Sequence, residues 1–230
     1  MKHFVFTRWN KISEEVDVYN HPEIKNPFEW NLDRQKKFEK YCLPTMMNQT
    51  SKNFVWLLSF SVRTPLEIIR KYQDLPNVKV IFSYPATYVK SLKIDDWLCT
   101  SRLDNDDAVS LDYIESIQSE FHEIEEVIDF DGYQHDTKTD KWYHSPYGNP
   151  HSPFISFFEK PDYDRVDSIK TVFRYQHTNM WTKFESRFIC EKKYVQVIHD
   201  NNLRCRIRGA EIKKKLDDEF WNSPACHPSR

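Results

Sequence analysis

Residues 53–60 read NFVWLLSF, an apolar run of strand length without polar alternation. A strand that is apolar on both faces has to be covered on both faces, and sheets of that kind are built from parallel strands with helices packed on either side. Thr64-Pro65-Leu66-Glu67 follows, with a capping threonine, a proline at the first helical position and a glutamate at the capping-box position, so a helix through Tyr72 is expected. The alternation continues in both directions. HFVFT at 3–7 is a first strand ending in Thr7-Arg8-Trp9-Asn10, and polar residues 13–30 form a loop. Asn31 caps a helix over 32–47, where Phe38, Tyr41, Cys42 and Thr45 recur at helical spacing. VKVIFSY at 78–84 is a third strand stopped by Pro85, residues 98–103 are a fourth, and Ile114, Ile117, Phe121, Ile124 and Ile128 mark one face of a further helix. The order β-α-β-α-β-β-α specifies an α/β fold with a mostly parallel central sheet flanked by helices.

The second half is less regular. Residues 127–133, 142–143, 154–158, 170–175 and 194–198 have strand character, residues 134–153 form a loop rich in proline and histidine, and Ile212, Leu216 and Phe220 place a terminal helix over 211–221, beyond which the chain frays. Glycine occurs only at 132, 148 and 209, which excludes a P-loop and a GxGxxG nucleotide fingerprint. A net charge of −2 argues against a nucleic-acid partner. No apolar run approaches the roughly 20 residues of a membrane span and the N-terminus lacks a signal peptide, so a soluble, cytoplasmic protein is expected, with peripheral membrane contact left open. Five scattered cysteines with no CxxC spacing fit reduced thiols. Aromatics make up 15% of the chain and serve either the core or stacking on a sugar or base.

The chemistry concentrates at the end of the fourth strand, in SRLDNDDAV. Asp104, Asp106 and Asp107 crowd together where open α/β folds bind ligands. Close carboxylates repel one another, and a hard divalent cation relieves the repulsion; a turn with a helix cap is the other use of such residues. Arg102 and Arg8, at strand ends, offer guanidinium donors to phosphate, although Arg102 can equally pair with the aspartates. Arg34 sits in the first turn of its expected helix, where a cation is unfavourable unless it has an anionic partner. Thr7 is at a strand end and is a candidate nucleotide contact.

Taken in order, FVFTRWN, DRQKKFEKYCLPTMMNQTSKNFVWLLSF, RTP, SRLDNDDAV, FDGY and YVQVIHDNNLRCRIRG resemble the rhamnosyltransferase family of GT-A glycosyltransferases, over about residues 3–209. The chain departs from that pattern in one respect. An acidic residue that helps hold the base or ribose is expected after the second strand, and Ser59-Phe60-Ser61-Val62 stands there instead. The resemblance implies a single GT-A (Rossmann-like) domain over 1–230, with a nucleotide-sugar-binding half at 1–128, an acceptor and catalytic half at 129–208, and a C-terminal helix and tail at 209–230. It implies transfer of a sugar such as rhamnose from a dTDP-, UDP- or GDP-sugar to a glycan or glycoconjugate hydroxyl, as in polysaccharide biosynthesis, with Mn²⁺ or Mg²⁺. By the same resemblance Asp106 is a metal ligand, with Asp104 at the metal or ribose and His199 completing the site. Thr7, Arg8, Arg34 and Arg102 would serve the nucleotide, and Asp107 would orient the site or meet the acceptor. An inverting transfer needs a base, for which Glu159 is the leading candidate and Asp164, Asp131 and His177 are rivals. The competing classes are a metal-dependent nucleotidyltransferase or phosphoesterase and a non-catalytic carbohydrate-binding module. The first commonly carries a glycine-rich phosphate loop, and the second has no use for the DNDD cluster.

Overall fold

The protein is described here by a computed structural model covering residues 1–145, 151–164, 168–200, 202 and 206–213. Four parallel strands form one half of the sheet, in the order β3 (Val78–Ile81), β2 (Val55–Ser59), β1 (Lys2–Arg8), β4 (Leu98–Arg102). Beyond β4 the sheet is mixed, with antiparallel pairings and one long parallel one. β8 (Ser156–Glu159) pairs with β4, and β6 (Glu126–Asp136) pairs with β8; β7 (Lys141–His144) and β10 (Glu211–Ile212) extend the edge, while β9 (Glu185–Ile198) lies along β6 and also pairs with β5 (Ala108–Val109). The α/β fold expected from the alternation is therefore present.

The apolar run that implied double coverage is covered on both faces. Trp56 and Leu58 enter a cluster with Trp9, Phe38, Phe60 and Tyr72, while Leu57 points the other way, into a cluster with Phe4, Phe6, Leu98 and Phe157. β1 divides likewise, with Val5 on the first side and Phe4 and Phe6 on the second. Each fully buried side chain of this size contributes roughly 1.5–3 kcal/mol by removing apolar surface from water. The aromatics fill this core, as in the Trp9–Phe60 stack with centroids 4.9 Å apart.

Several boundaries differ from expectation. The first helix starts earlier, as α1 (Pro27–Lys37), because Asn26 caps Glu29 N at 3.3 Å and Pro27 has the preset φ of a first helical residue. Asn31, the expected cap, is buried inside the helix, accepting from Asn10 Nδ2 at 3.0 Å and donating to Tyr19 Oη at 2.9 Å. A π-helical turn (Phe38–Cys42) then leads into α2 (Leu43–Met47). The helix after Pro65 is short, α3 (Leu66–Arg70). Helix α4 (Pro85–Ser91) was not anticipated. α5 spans Tyr113–Ser119, so the isoleucine stripe ends early and Ile128 belongs to β6. Residues 170–175 are a turn with Thr171 at φ 61°, followed by α6 (His177–Lys183), also not anticipated. Glu211 and Ile212 are strand where a terminal helix was expected; the rest of that expected helix and the tail lie outside the described residues, as do 146–150 of the expected loop. Gly132, in FDGY, marks an irregularity in the β6–β9 register, and a Cβ there would lie 2.4 Å from the Tyr194 ring. Among the described residues no helix is long and apolar enough to cross a membrane.

Candidate active site at the carboxyl ends of β1 and β4

β1 is followed in the sheet by β2 on one side and by β4 on the other, and the crevice at such a reversal is where open α/β sheets take their ligands. Arg8 ends β1, Arg102 ends β4, and the acidic loop leaves β4 directly beside them. Arg102 Nη2 donates to Asp104 Oδ2 at 2.8 Å, and Arg8 Nη2 lies 3.5 Å from Asp104 Oδ1. Burial raises the cost of ionising Asp104, but the two guanidinium groups outweigh it and hold the carboxyl well below the usual range. Arg8 is braced by a 3.0 Å bond to the Ile12 carbonyl and lies 5.1 Å from the centroid of the Phe173 ring.

Asp106 is buried and draws in a separate set of partners. Arg34 reaches in from α1 to pair with Oδ2, supported by Asn105 Oδ1 at 3.2 Å and by the face of Trp30, 4.7 Å away. The same oxygen meets His199 Nε2 at 2.8 Å and Asn202 Nδ2 at 3.1 Å. Asn202 also fixes the histidine's turn by accepting from His199 N at 2.6 Å. Burial is opposed by Arg34 and then His199, and Asp106 stays below the ordinary carboxylate range. Arg34 lies in the last turn of α1, not the first, so the helix dipole favours it; its burial is what calls for an anion, and it finds Asp106, 72 positions along the chain.

The remaining expected site residues fall into two groups. Asp107 is buried with Oδ1 accepting from Val197 N at 2.7 Å, and burial together with Asp106 and Asp104 pushes its carboxyl well above the ordinary value. It ties the acidic loop to β9. Thr7 is fully buried; its hydroxyl donates to the Leu103 carbonyl at 2.9 Å and accepts from Trp56 Nε1 at 2.9 Å, so its role is to join β1, β2 and β4, not to contact a nucleotide. Glu159 is not at this site. β8 runs antiparallel to β4 and Glu159 pairs in register with Leu98, at the amino end of β4, whereas Arg102 is at the carboxyl end. Its two oxygens accept from Lys170 N and Thr171 N, each at 2.7 Å. Of the rivals, Asp131 is paired with Lys192 and accepts from its own Gly132 N, and Asp164 lies in an exposed turn. His177 is at the site, with Nδ1 3.4 Å from Arg102 Nη1.

One cluster had no signal in the sequence. Ser61, which follows β2 where an acidic residue was expected, donates to Asp17 Oδ2 at 2.6 Å, and Arg63 Nη2 lies 2.7 Å from Asp17 Oδ1. The β1–α1 loop thereby brings a carboxylate to the end of β2. The pairing spans 44 positions, and no local pattern reports it.

Among the described residues no group of three His, Cys, Asp or Glu side chains is arranged to hold a metal ion. Asp104, expected as a ligand, is turned toward Arg102 and Arg8. Asp106 Oδ2 and His199 Nε2 lie 2.8 Å apart, but the same oxygen is also held by Arg34 and Asn202, so a divalent cation there would have to displace the guanidinium. A carboxylate oxygen with an imidazole nitrogen is a donor set for a first-row divalent cation such as Mn²⁺ more than for Mg²⁺, whose ligands are oxygens.

A search of curated proteins finds no match. A solved structure described as "Crystal structure of S. aureus TarS" matches with 12% identity and a TM-score of 0.46, covering 86% of this chain and 37% of that one. A family model described as "Putative rhamnosyl transferase" matches residues 27–211, a span that contains the acidic loop, His199 and all three strands β2, β3 and β4. The chain belongs to this rhamnosyl transferase family of glycosyltransferases.

Proposed function

We propose that the protein transfers a deoxyhexose such as rhamnose from a dTDP-, UDP- or GDP-sugar to a hydroxyl of a glycan or glycoconjugate, working in the cytoplasm with Mn²⁺ or Mg²⁺ bound by Asp106 and His199. The observation that carries this reading is the convergence at one sheet edge of an Asp106–His199 donor pair with Arg8, Arg102 and Arg34. A bound divalent cation would neutralise charge developing on the departing diphosphate. Arg8 and Arg102 now share Asp104; a diphosphate offers them further oxygens in the bidentate geometry that guanidinium favours. Asn202 orients His199 toward the shared point. Asp17, Ser61 and Arg63 supply polar groups for the nucleoside end of the donor, in place of the acidic residue absent after β2. The chain acts as one catalytic domain, with the parallel strands carrying the donor and the mixed half carrying the acceptor.

A panel of dTDP-, UDP- and GDP-sugars assayed for nucleoside diphosphate release, with Mn²⁺ and with chelator, tests the reading. Release from at least one donor, suppressed by chelator, is the expected result. Binding of no donor, with or without metal, contradicts it.

A further inference from the structure

The transferred hydroxyl has to lose a proton, and Glu159 sits at the opposite edge of the sheet with both oxygens held by backbone N–H groups. His177 opens α6 and is only partly covered. An arginine side chain carries donors only, so Nδ1, which faces Arg102 Nη1 at 3.4 Å, turns its lone pair to that guanidinium and Nε2 carries the ring proton. The same arginine donates to Asp104 at 2.8 Å, which ties His177 to the donor side of the crevice. Arg8 and Asp104, at the ends of β1 and β4, and His151, preceding β8, are the other charged or titratable groups whose fields reach this ring. His151 adopts φ 111°, a strained value for a residue with a side chain, and its backbone N–H is fixed by buried Asp129 at 3.0 Å.

We propose that His177 is the general base of the transfer, accepting the acceptor hydroxyl's proton at Nδ1. The inference rests on the donor reading above. In the step, the hydroxyl oxygen bonds to the anomeric carbon while the bond from that carbon to the diphosphate oxygen breaks. The bonding pair leaves on the diphosphate, the proton passes to His177, and the imidazolium then releases it to solvent. Such a single displacement inverts the anomeric centre. Burial, followed by the Arg102 charge, lowers the His177 pKa to about 4, so the ring is neutral throughout the physiological range. A diphosphate that engages Arg102 draws the guanidinium off Nδ1 and frees its lone pair for the acceptor hydroxyl, so the base is available only once the donor is bound.

Water serves as the acceptor in the test, with donor binding read by calorimetry and nucleoside diphosphate release read separately. His177→Ala should bind the donor as wild type does and release diphosphate about a hundredfold more slowly, the usual share of a general base. Added imidazole should restore part of that rate in His177→Ala and leave wild type unchanged. Wild-type rates in His177→Ala overturn the proposal, as does a loss that imidazole does not rescue and that follows weakened donor binding, since His177 would then act only through Arg102. A melting curve of His177→Gln, which retains a polar side chain, separates either result from misfolding. Failure of wild type to bind any donor in the panel would overturn the donor reading itself.

Discussion

The two edges of the parallel strands bury carboxylates in opposite ways. At the carboxyl edge Asp104 and Asp106 are balanced by the side chains of Arg8, Arg102, Arg34 and His199. At the amino edge Glu159 is satisfied by two backbone N–H groups at 2.7 Å, and nearby His3, also buried, bonds Ser101 Oγ at 2.8 Å. Side-chain cations can exchange a carboxylate for an incoming phosphate by rotating. Backbone donors cannot leave without breaking the fold. Of two buried acids such as Asp106 and Glu159, the one matched by side chains is therefore poised for a ligand, and the one matched by the backbone is a fastening.

The largest expected effect that would break this comparison is at Asp106. Asp106→Asn should lower turnover by roughly a thousandfold, the scale on which a positioned electrostatic group contributes. It also leaves Arg34 buried without its counter-charge and should lower the melting temperature. The double variant Asp106→Asn with Arg34→Gln should recover stability and stay inactive. Recovery of turnover in the double variant would remove Asp106 from the site chemistry.

Glu159→Gln should do the reverse. It sets an amide donor against a backbone donor and should cost about 2 kcal/mol, roughly 4–8 °C in melting temperature, with turnover per folded molecule unchanged. A melting temperature like that of wild type with lost turnover would return Glu159 to the candidate bases.

The amino edge should also report pH. Burial lowers the His3 pKa to about 3 in the folded protein, whereas the unfolded chain titrates near 6.5. Between those values the unfolded state binds the extra proton, so stability is full above about 6.5 and falls as pH drops toward 3. His3→Gln should make the decline of melting temperature between pH 6.5 and 4 shallower. An unchanged slope would mean that this edge opens to solvent. The smallest effect is expected at Asp107→Asn, which keeps an oxygen for Val197 N and replaces a carboxyl whose ionisation burial, Asp106 and Asp104 already disfavour; turnover should stay within about threefold of wild type.

The parallel half was legible in the sequence because its determinants are local. The run at 53–60 and the acidic loop after β4 each fall within a few residues of the element they define, whereas the expected cap Thr64 accepts from Asn10 Nδ2 at 2.7 Å and Pro65 stands at the N-cap of α3 without a side-chain cap. What could not be read depends on direction and on distance. Glu159 ends a strand as visibly as Arg102 does, but β8 runs antiparallel to β4, so its end lies at the amino edge. Thr7 lies one residue short of the end of β1, and its side chain turns inward. Helices α4 and α6 have seven residues each, too short to establish a stripe. The pairings of Arg34 with Asp106 and of Asp17 with Ser61 join loops and helices far apart in the chain.

The central claim is that the carboxyl edge takes a nucleoside diphosphate with a divalent cation at Asp106 and His199. Calorimetric titration of Mn²⁺ into wild type and into the Asp106→Asn, Arg34→Gln double variant, each saturated with the nucleoside diphosphate of the active donor, tests it directly. The account predicts a binding isotherm in wild type that is absent or at least tenfold weaker in the double variant. Equal Mn²⁺ binding by both proteins, or none by wild type, would contradict it.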